Sequence, residues 1–283
     1  MNCRLLTIVP LIILLAFKYS CLHATIIVAL HTKEGIVIAA DSRATIRSGN
    51  KTTYQDSVVK LIPKGNCVVA FFGTFGMSGD NLDQLLMDLD IRDKNKFPNI
   101  NILGEFYAIE NKCWKLFEEK YYKWVSKDPT VEGGFFVAGN IKGQPTIRTV
   151  HIDPSKRRCS LVMDSVGIIF KGQTDIISRL LYGIAEDAFV IDVGLASDRD
   201  LIDNYLGINR KLYDKLKSFK YKIDYRAMSL DEGIEFSKFL VEATIIMNKY
   251  SHGTDLYPRS GDSGVGGAIY IITITKEGLS WVK

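Results

Sequence analysis

Two β-branched apolar runs, Thr25 to His31 (TIIVALH) and Ile36 to Ala40 (IVIAA), flank four residues of turn chemistry, Thr32-Lys33-Glu34-Gly35. Neither run alternates apolar with polar, so the pair predicts a β-hairpin buried on both faces. Asn66 to Phe72 (NCVVAFF), bounded by Gly65 and Gly73, predicts another buried strand. The period then changes. Asp80 to Ile91 sets Leu82, Leu85, Leu86 and Leu89 at helical spacing, and Leu103 to Val125 sets Phe106, Ile109, Cys113, Leu116, Phe117, Tyr121 and Trp124 on one stripe. Strands return at Phe135 to Gly139 and Thr146 to Ile152, around a Gly143-Gln144-Pro145 turn, and at Ser160 to Met163 and Ile168 to Phe170. Gly172 to Ala188 reads as an amphipathic helix. Ser229 to Tyr250 reads as a long one with Ile234, Phe236, Phe239, Leu240, Ala243, Ile246 and Met247 inward. Gly267 to Thr275 and Leu279 to Val282 close the chain as strands. There is no internal repeat. The order predicts an α+β fold in which two antiparallel sheets are covered by helix pairs, a four-layer αββα sandwich.

The first 24 residues follow a different pattern. Arg4 precedes an apolar run from Leu5 to Phe17, followed by Lys18, Ser20 and Leu22-His23-Ala24. A positive start, about a dozen apolar residues and a small residue at the boundary predict a secretory signal peptide cut after Ala24. The run is short of the roughly 20 apolar residues of a membrane span, and Pro10 interrupts it. An uncleaved anchor and an apolar propeptide are the alternatives. Residues 25–283 then form a single domain with an insertion near 187–228.

Composition narrows the function classes. Apolar residues make up 47% and charged residues 24% of 283 residues, which excludes a disordered or low-complexity chain. The net charge of +4 includes Arg4 and Lys18 of the leader, and no basic block or stripe marks a nucleic-acid partner. Five Cys without paired C-x-x-C spacing and four scattered His predict neither a disulfide scaffold nor a metal centre, and no cofactor motif is present. Asn50-Lys51-Thr52 is a glycosylation sequon that matters only in the secretory pathway.

A cut after Ala24 changes the chemistry of Thr25. An N-terminal Thr carries a hydroxyl and an α-amine of pKa about 7.7–8.0 on one residue, so nucleophile and base come together. Such a design needs a cation to keep the amine neutral, a carboxylate to hold that cation, and backbone N–H groups for the oxyanion.

Thr25-Ile-Ile-Val-Ala-Leu through Gly35-Ile-Val-Ile-Ala-Ala-Asp41-Ser-Arg-Ala-Thr45 resembles the start of a mature proteasome β subunit, closest to the chymotrypsin-like catalytic type. The likeness continues through Val58-Val59-Lys60-Leu61-Ile62 and Ala70-Phe71-Phe72-Gly73 to Gly266-Gly267-Ala268. It implies the N-terminal-nucleophile hydrolase fold and a threonine endopeptidase that acts on polypeptides without a cofactor. By the same resemblance, Thr25 is nucleophile and base, Lys60 perturbs its amine, Asp41 pairs Lys60, and Gly73 donates to the oxyanion. Arg43 and Asp262 are supporting residues, Thr45 and Gly73 hold substrate backbone, and Ala44, Val58, Phe71, Phe75 and Ile62 line an apolar pocket. Phe71 and Phe75 read equally well as core aromatics. Family members stack in rings with related subunits, in cytosol and nucleus, whereas the leader predicts the secretory pathway.

The departures from the pattern are specific. Ala24 stands where self-cleaving members have Gly, Lys171-Gly172-Gln173 where they have a Ser-Gly-Ser-like turn, and Val265 where they have a second supporting serine. These keep open a catalytically silent ring subunit and a non-proteolytic amidohydrolase of the same nucleophile class. Gly261-Asp262-Ser263-Gly264 resembles the nucleophile loop of chymotrypsin-like serine proteases, but no matching His loop is present.

Overall fold

The structure is a computed structural model, and it describes residues 25–48, 51–73, 108, 109, 111, 115, 133–141, 143–152, 159–163, 167–182, 221–250 and 264–282. The leader, the expected helix at 80–91, residues 187–220 of the insertion, Asn50, Phe75, Asp262 and Ser263 lie outside these residues, as does most of the expected helix at 103–125.

The two opening runs form strands β1 (Ile26–His31) and β2 (Ile36–Asp41), paired antiparallel in the expected hairpin. Every residue of both strands is buried, because each face meets a different layer. The remaining strands are β3 (Ala44–Ser48), β4 (Lys51–Gln55), β5 (Leu61–Lys64), β6 (Cys67–Gly73), β7 (Gly133–Ile141), β8 (Gln144–Ile152), β9 (Cys159–Met163), β10 (Gly167–Gly172), β11 (Ile269–Thr275) and β12 (Gly278–Trp281). One sheet has the order β10-β1-β2-β11-β12, a second β5-β6-β7-β8-β9, and β3-β4 is a separate hairpin. All pairings are antiparallel. The chain is thus α+β. The hairpin β3-β4 and the strand β5 extend the sequence expectation, which assigns no element to residues 44–62.

Side chains of the two large sheets interlock in one cluster. Ile27, Ala29, Ile36, Ile38, Ala40, Ile272 and Ile274 of the first sheet meet Leu61, Val68, Ala70, Phe72, Phe136, Ala138 and Ile147 of the second. The alternate residues of the first sheet, Ile26, Val28, Val37, Ala39 and Ile271, face helices α1 (Asp175–Tyr182) and α2 (Leu230–Tyr250) through Ile177, Leu181, Leu240 and Val241. The period-2 alternation of a strand therefore serves two apolar layers at once.

The turn expected at Gly143-Gln144-Pro145 is tighter than the composition suggests. Gln144 pairs with Ile141 and Pro145 with Asn140, so both belong to β8, and Gly143 takes the positive φ of 84° that a two-residue connection requires.

Helix α2 starts where the sequence places it. Ser229 N donates to Glu232 Oε2 and Glu232 N donates to Ser229 Oγ, a reciprocal cap. Its inward face is the expected one only in part: Leu240 is buried, and Ile234 and Phe236 pack against the same cluster. Gly233, Ser237, Leu240, Val241, Thr244 and Asn248 are buried, whereas Phe239, Ile246 and Met247 are about half exposed. Small residues let the helix lie close on the sheet. A Cβ at Gly233 would come within 2.7 Å of Thr32 Cγ2, with Leu30 and Val37 just beyond. Two of the buried polar groups turn back onto their own helix, with Thr244 Oγ1 donating to Leu240 O and Asn248 Nδ2 to Thr244 O, each at 2.9 Å.

Gly233→Ala therefore tests the close approach. Helix propensity alone favours Ala by about 1 kcal/mol, but overpacking against Thr32 reverses the sign, and we expect a net loss of about 1–3 kcal/mol. Urea denaturation measures it, and a more stable variant would contradict the packing described.

Candidate active site

Strand β1 begins immediately after Thr25, and β2 ends at Asp41. The hairpin register pairs Ile27 with Ala40, so Thr25 and Asp41 lie at the same end of the first sheet. Asp41 is fully buried. Its Oδ1 accepts from Lys60 Nζ at 2.6 Å and from Ile26 N at 2.9 Å. Its Oδ2 accepts from Gly266 N at 3.1 Å and from Arg43 N at 3.2 Å. All four of these groups donate, the arrangement that suits an ionised carboxylate. One oxygen thus bridges the residue after Thr25 and the Lys60 ammonium. Thr25 itself is 8% exposed, and its carbonyl accepts from Gln173 N at 2.8 Å.

Lys60 comes from the other sheet, one residue before β5. Buried Leu61 beside it joins the inter-sheet core, which directs the backbone at Lys60 toward the first sheet. The Lys60 side chain is 7% exposed and that of Asp41 0%. Burial pushes the Lys60 ammonium below its ordinary range, opposed by the Asp41 carboxylate. Burial pushes the Asp41 carboxyl up, opposed by Lys60 and by the amides of Ile26 and Gly266. Loss of water thus acts against both charges, and their contact offsets it.

A backbone turn at 264–268 closes over this pair. Gly266 O accepts from Ser42 N and Arg43 N, Ala268 N donates to Ser42 Oγ, and Thr45 Oγ1 donates to Gly264 O. A Cβ at Gly266 would meet the Arg43 guanidinium at 2.5 Å, and one at Gly267, where φ is 76°, would overlap Ser42 Oγ. Arg43 forms a two-pronged pair with Asp56, Nε to Oδ1 at 2.6 Å and Nη2 to Oδ2 at 2.7 Å, and stacks over Tyr54 at 4.9 Å. It thereby ties the β3-β4 hairpin to the turn that caps Asp41.

The structure brings Thr25, Asp41, Lys60, Arg43 and Thr45 together. Ala44 starts β3 and is half-buried, as is Val58, whose N–H donates to Ser42 O. Phe71 packs against Phe135 with ring centroids 6.1 Å apart and is 7% exposed, the environment of a core aromatic. Gly73 ends β6 opposite Gly133 with φ of 82°, three residues past Ala70, the strand partner of Leu61. The hydrogen bonds that hold the Asp41 carboxylate come from Ile26, Arg43, Lys60 and Gly266 and do not involve Gly73. Val265 is buried in the apolar cluster with α1 and α2. Ser42, Tyr54 and Asp56 carry no functional signal in their sequence context, and Gln173 stands out there only as part of the Lys171-Gly172-Gln173 departure. Among the described residues, no three His, Cys, Asp or Glu side chains converge as a metal site would require.

Two stability measurements check this geometry. Asp41→Asn leaves the Lys60 ammonium buried without its counter-charge, and we expect a loss of about 3–5 kcal/mol, partly recovered in the double variant Asp41→Asn/Lys60→Met. A loss that the second substitution does not reduce would argue against the pairing. At the rim, Arg43 holds the Asp56 carboxyl below its ordinary range. The folded-state value is the lower one, so this contribution is present above the unfolded value near 4 and is lost as pH falls through the folded one. Asp56 is 48% exposed, which limits the effect to about 1 kcal/mol. The stability gap between wild type and Asp56→Asn is expected at pH 7 and should close below about pH 4.

Compared with protein-family models and with curated proteins, the sequence gives no match.

Proposed function

We propose that this chain is a threonine endopeptidase of the N-terminal-nucleophile type, resembling the catalytic proteasome β subunits. The observation that carries this reading is the single Asp41 oxygen shared by Lys60 Nζ and Ile26 N at the start of a buried strand. A buried Lys–Asp pair beside an ordinary internal Thr has no evident use, because a peptide nitrogen cannot act as a base. Removal of residues 1–24 gives Thr25 a free amine there.

The mechanism follows from that change. The neutral α-amine takes the Thr25 hydroxyl proton as the oxygen attacks the substrate carbonyl. The Lys60 ammonium disfavours a second positive charge on the amine and favours the ionised oxygen. The Gly73 N–H donates to the oxyanion. Collapse returns the proton to the leaving amine and leaves an ester on Thr25, which water hydrolyses. Polypeptide binds in an extended pose along Thr45 and Gly73, with Ala44 and Val58 beside the side chain that precedes the cleaved bond.

The same reading completes the fold as a four-layer sandwich. Val69, Phe71, Phe135 and Val137 lie on the face of the second sheet turned away from the first, and they are buried. Ile109, in a helical stretch, is fully buried as well. Both facts support a second helical layer there. Buried, apolar Val265 in place of a hydroxyl favours the rival reading of a silent ring subunit.

Three measurements decide. N-terminal sequencing of the mature protein should begin at Thr25. Intact mass should show an adduct with a peptide epoxyketone, which needs amine and hydroxyl on one residue; a Thr25-started protein that stays unmodified points to the silent subunit. Thr25→Ala and Lys60→Ala should each abolish peptide turnover, a fall of at least about 10³-fold, with the Thr25 variant melting as wild type does. Turnover retained in either sinks the assignment. A native mass distinguishes a ring from a free-standing enzyme, and cell fractionation distinguishes the secretory pathway from cytosol and nucleus.

A further inference from the structure

An unmet acceptor lies opposite the nucleophile. The ladder between β1 and β10 pairs Ile26 with Gly172, and the bond from Gln173 N to Thr25 O carries the pairing one rung further. Gln173 therefore stands directly across from Thr25. Strand β10 ends at Gly172, and Gln173 is the next residue, held to Thr25 by its backbone. Ile27, two residues along β1 from Thr25, looks toward the second sheet, from which Lys60 arrives. The approach is close by construction: Gly172 has φ of 100°, and a Cβ there would overlap the Thr25 carbonyl.

Oε1 of Gln173 is buried and has no hydrogen-bond partner among the described residues. A buried acceptor without a donor is costly and calls for a reason. In the intact chain, the Thr25 nitrogen belongs to a peptide bond and carries one hydrogen. After leader removal it carries two or three. Cleavage thus creates new donors across one rung from an acceptor that lacks one.

We propose that Gln173 is a positioning residue for the Thr25 amine, its carboxamide oxygen accepting a hydrogen bond from the N-terminus that leader removal releases. This rests on the N-terminal-nucleophile reading and adds to it a residue that the resemblance does not supply, since Lys171-Gly172-Gln173 departs from the family's turn. The acceptor holds the amine in one orientation. It also favours the protonated form, so it raises the amine pKa and opposes Lys60. Among the described residues, the other charged groups nearest in the fold are Asp41, which accepts from Ile26 N, and Arg43 beside it, and along the chain from Gln173 stand Lys171 on β10 and Asp175 at the start of α1.

The test titrates that amine directly. In mature protein carrying ¹³C-threonine, the Thr25 resonances are followed against pH in wild type, Gln173→Met and Gln173→Glu, beside the pH dependence of inactivation by a peptide epoxyketone. Gln173→Met removes the acceptor and should lower the amine pKa by about 0.5–1 unit; Gln173→Glu should raise it by at least as much. The acid limb of the inactivation profile should move with it, in opposite directions in the two variants. A purely structural role moves the melting temperature and leaves both titrations in place. If Gln173→Met fails to fold, the near-isosteric Gln173→Glu carries the test. Unchanged titration in a protein that begins at Thr25 and forms the adduct overturns this role and leaves the mechanism standing. A mature protein that starts elsewhere, or forms no adduct, overturns both.

Discussion

The carboxylate of Asp41 sits where three parts of the chain meet, and each part is placed by a hydrogen bond to it. Ile26 N fixes the start of β1, Gly266 N fixes the turn before β11, and Lys60 Nζ anchors the edge of the second sheet to the first. None of the three is near Asp41 in sequence. Removing such a charge from water is expensive, and a buried pair is rarely more stabilising than apolar residues of the same shape. Stability alone therefore does not account for Asp41 and Lys60 in a core otherwise filled with Ile, Val, Ala and Phe. On the proposed reading, charge placed at one defined point accounts for them, because there it acts on the nitrogen and oxygen of Thr25.

The fold is legible in the sequence wherever a run is buried on both faces. TIIVALH and IVIAA are short, β-branched and joined by turn residues, and the structure pairs them as the expected hairpin. Helix α2 shows where such reading stops. Hydropathy puts its large apolar residues inward, and Leu240 is buried. Yet Gly233, Ser237 and Thr244 share the contact while Phe239, Ile246 and Met247 do not, because an interface close enough to exclude a Cβ at Gly233 selects for size as well as hydropathy. The hairpin β3-β4 is hidden for another reason. Polar residues dominate ATIRS and KTTYQ, and runs of five residues with so few apolar positions give no clear period. The site divides in the same way. Asp41 and Lys60 stand out through resemblance, whereas Asp56 and Gln173 act through partners that only the folded chain brings near, Arg43 across a hairpin and Thr25 across a ladder.

Backbone, more than side chains, builds the walls of the site. Gly266 admits Arg43, Gly267 admits Ser42, and Gly172 admits the Thr25 carbonyl. Each glycine lets one segment approach another at a distance that a Cβ forbids. Two of the three also adopt a positive φ that side-chain-bearing residues resist. The result is a set of amide donors and close-packed carbonyls whose positions follow from strand pairing. Such donors need no reorganisation when charge develops nearby, which is what a preorganised site requires.

The ion pair, the cap at 264–268 and the ladder to Gln173 are all made by residues from Thr25 onward, and all are present in the full chain. On the proposed reading, what the leader withholds is then neither the pocket nor the cation but one property of one atom. The Thr25 nitrogen is an amide before cleavage and a base after it. An amide does not accept a proton near neutral pH, so a fully folded precursor holds its nucleophile without activating it, and a single hydrolysis supplies the base in place. Shape-based latency needs a segment to move away. This arrangement needs only a bond to break at the edge of a strand that is already in register.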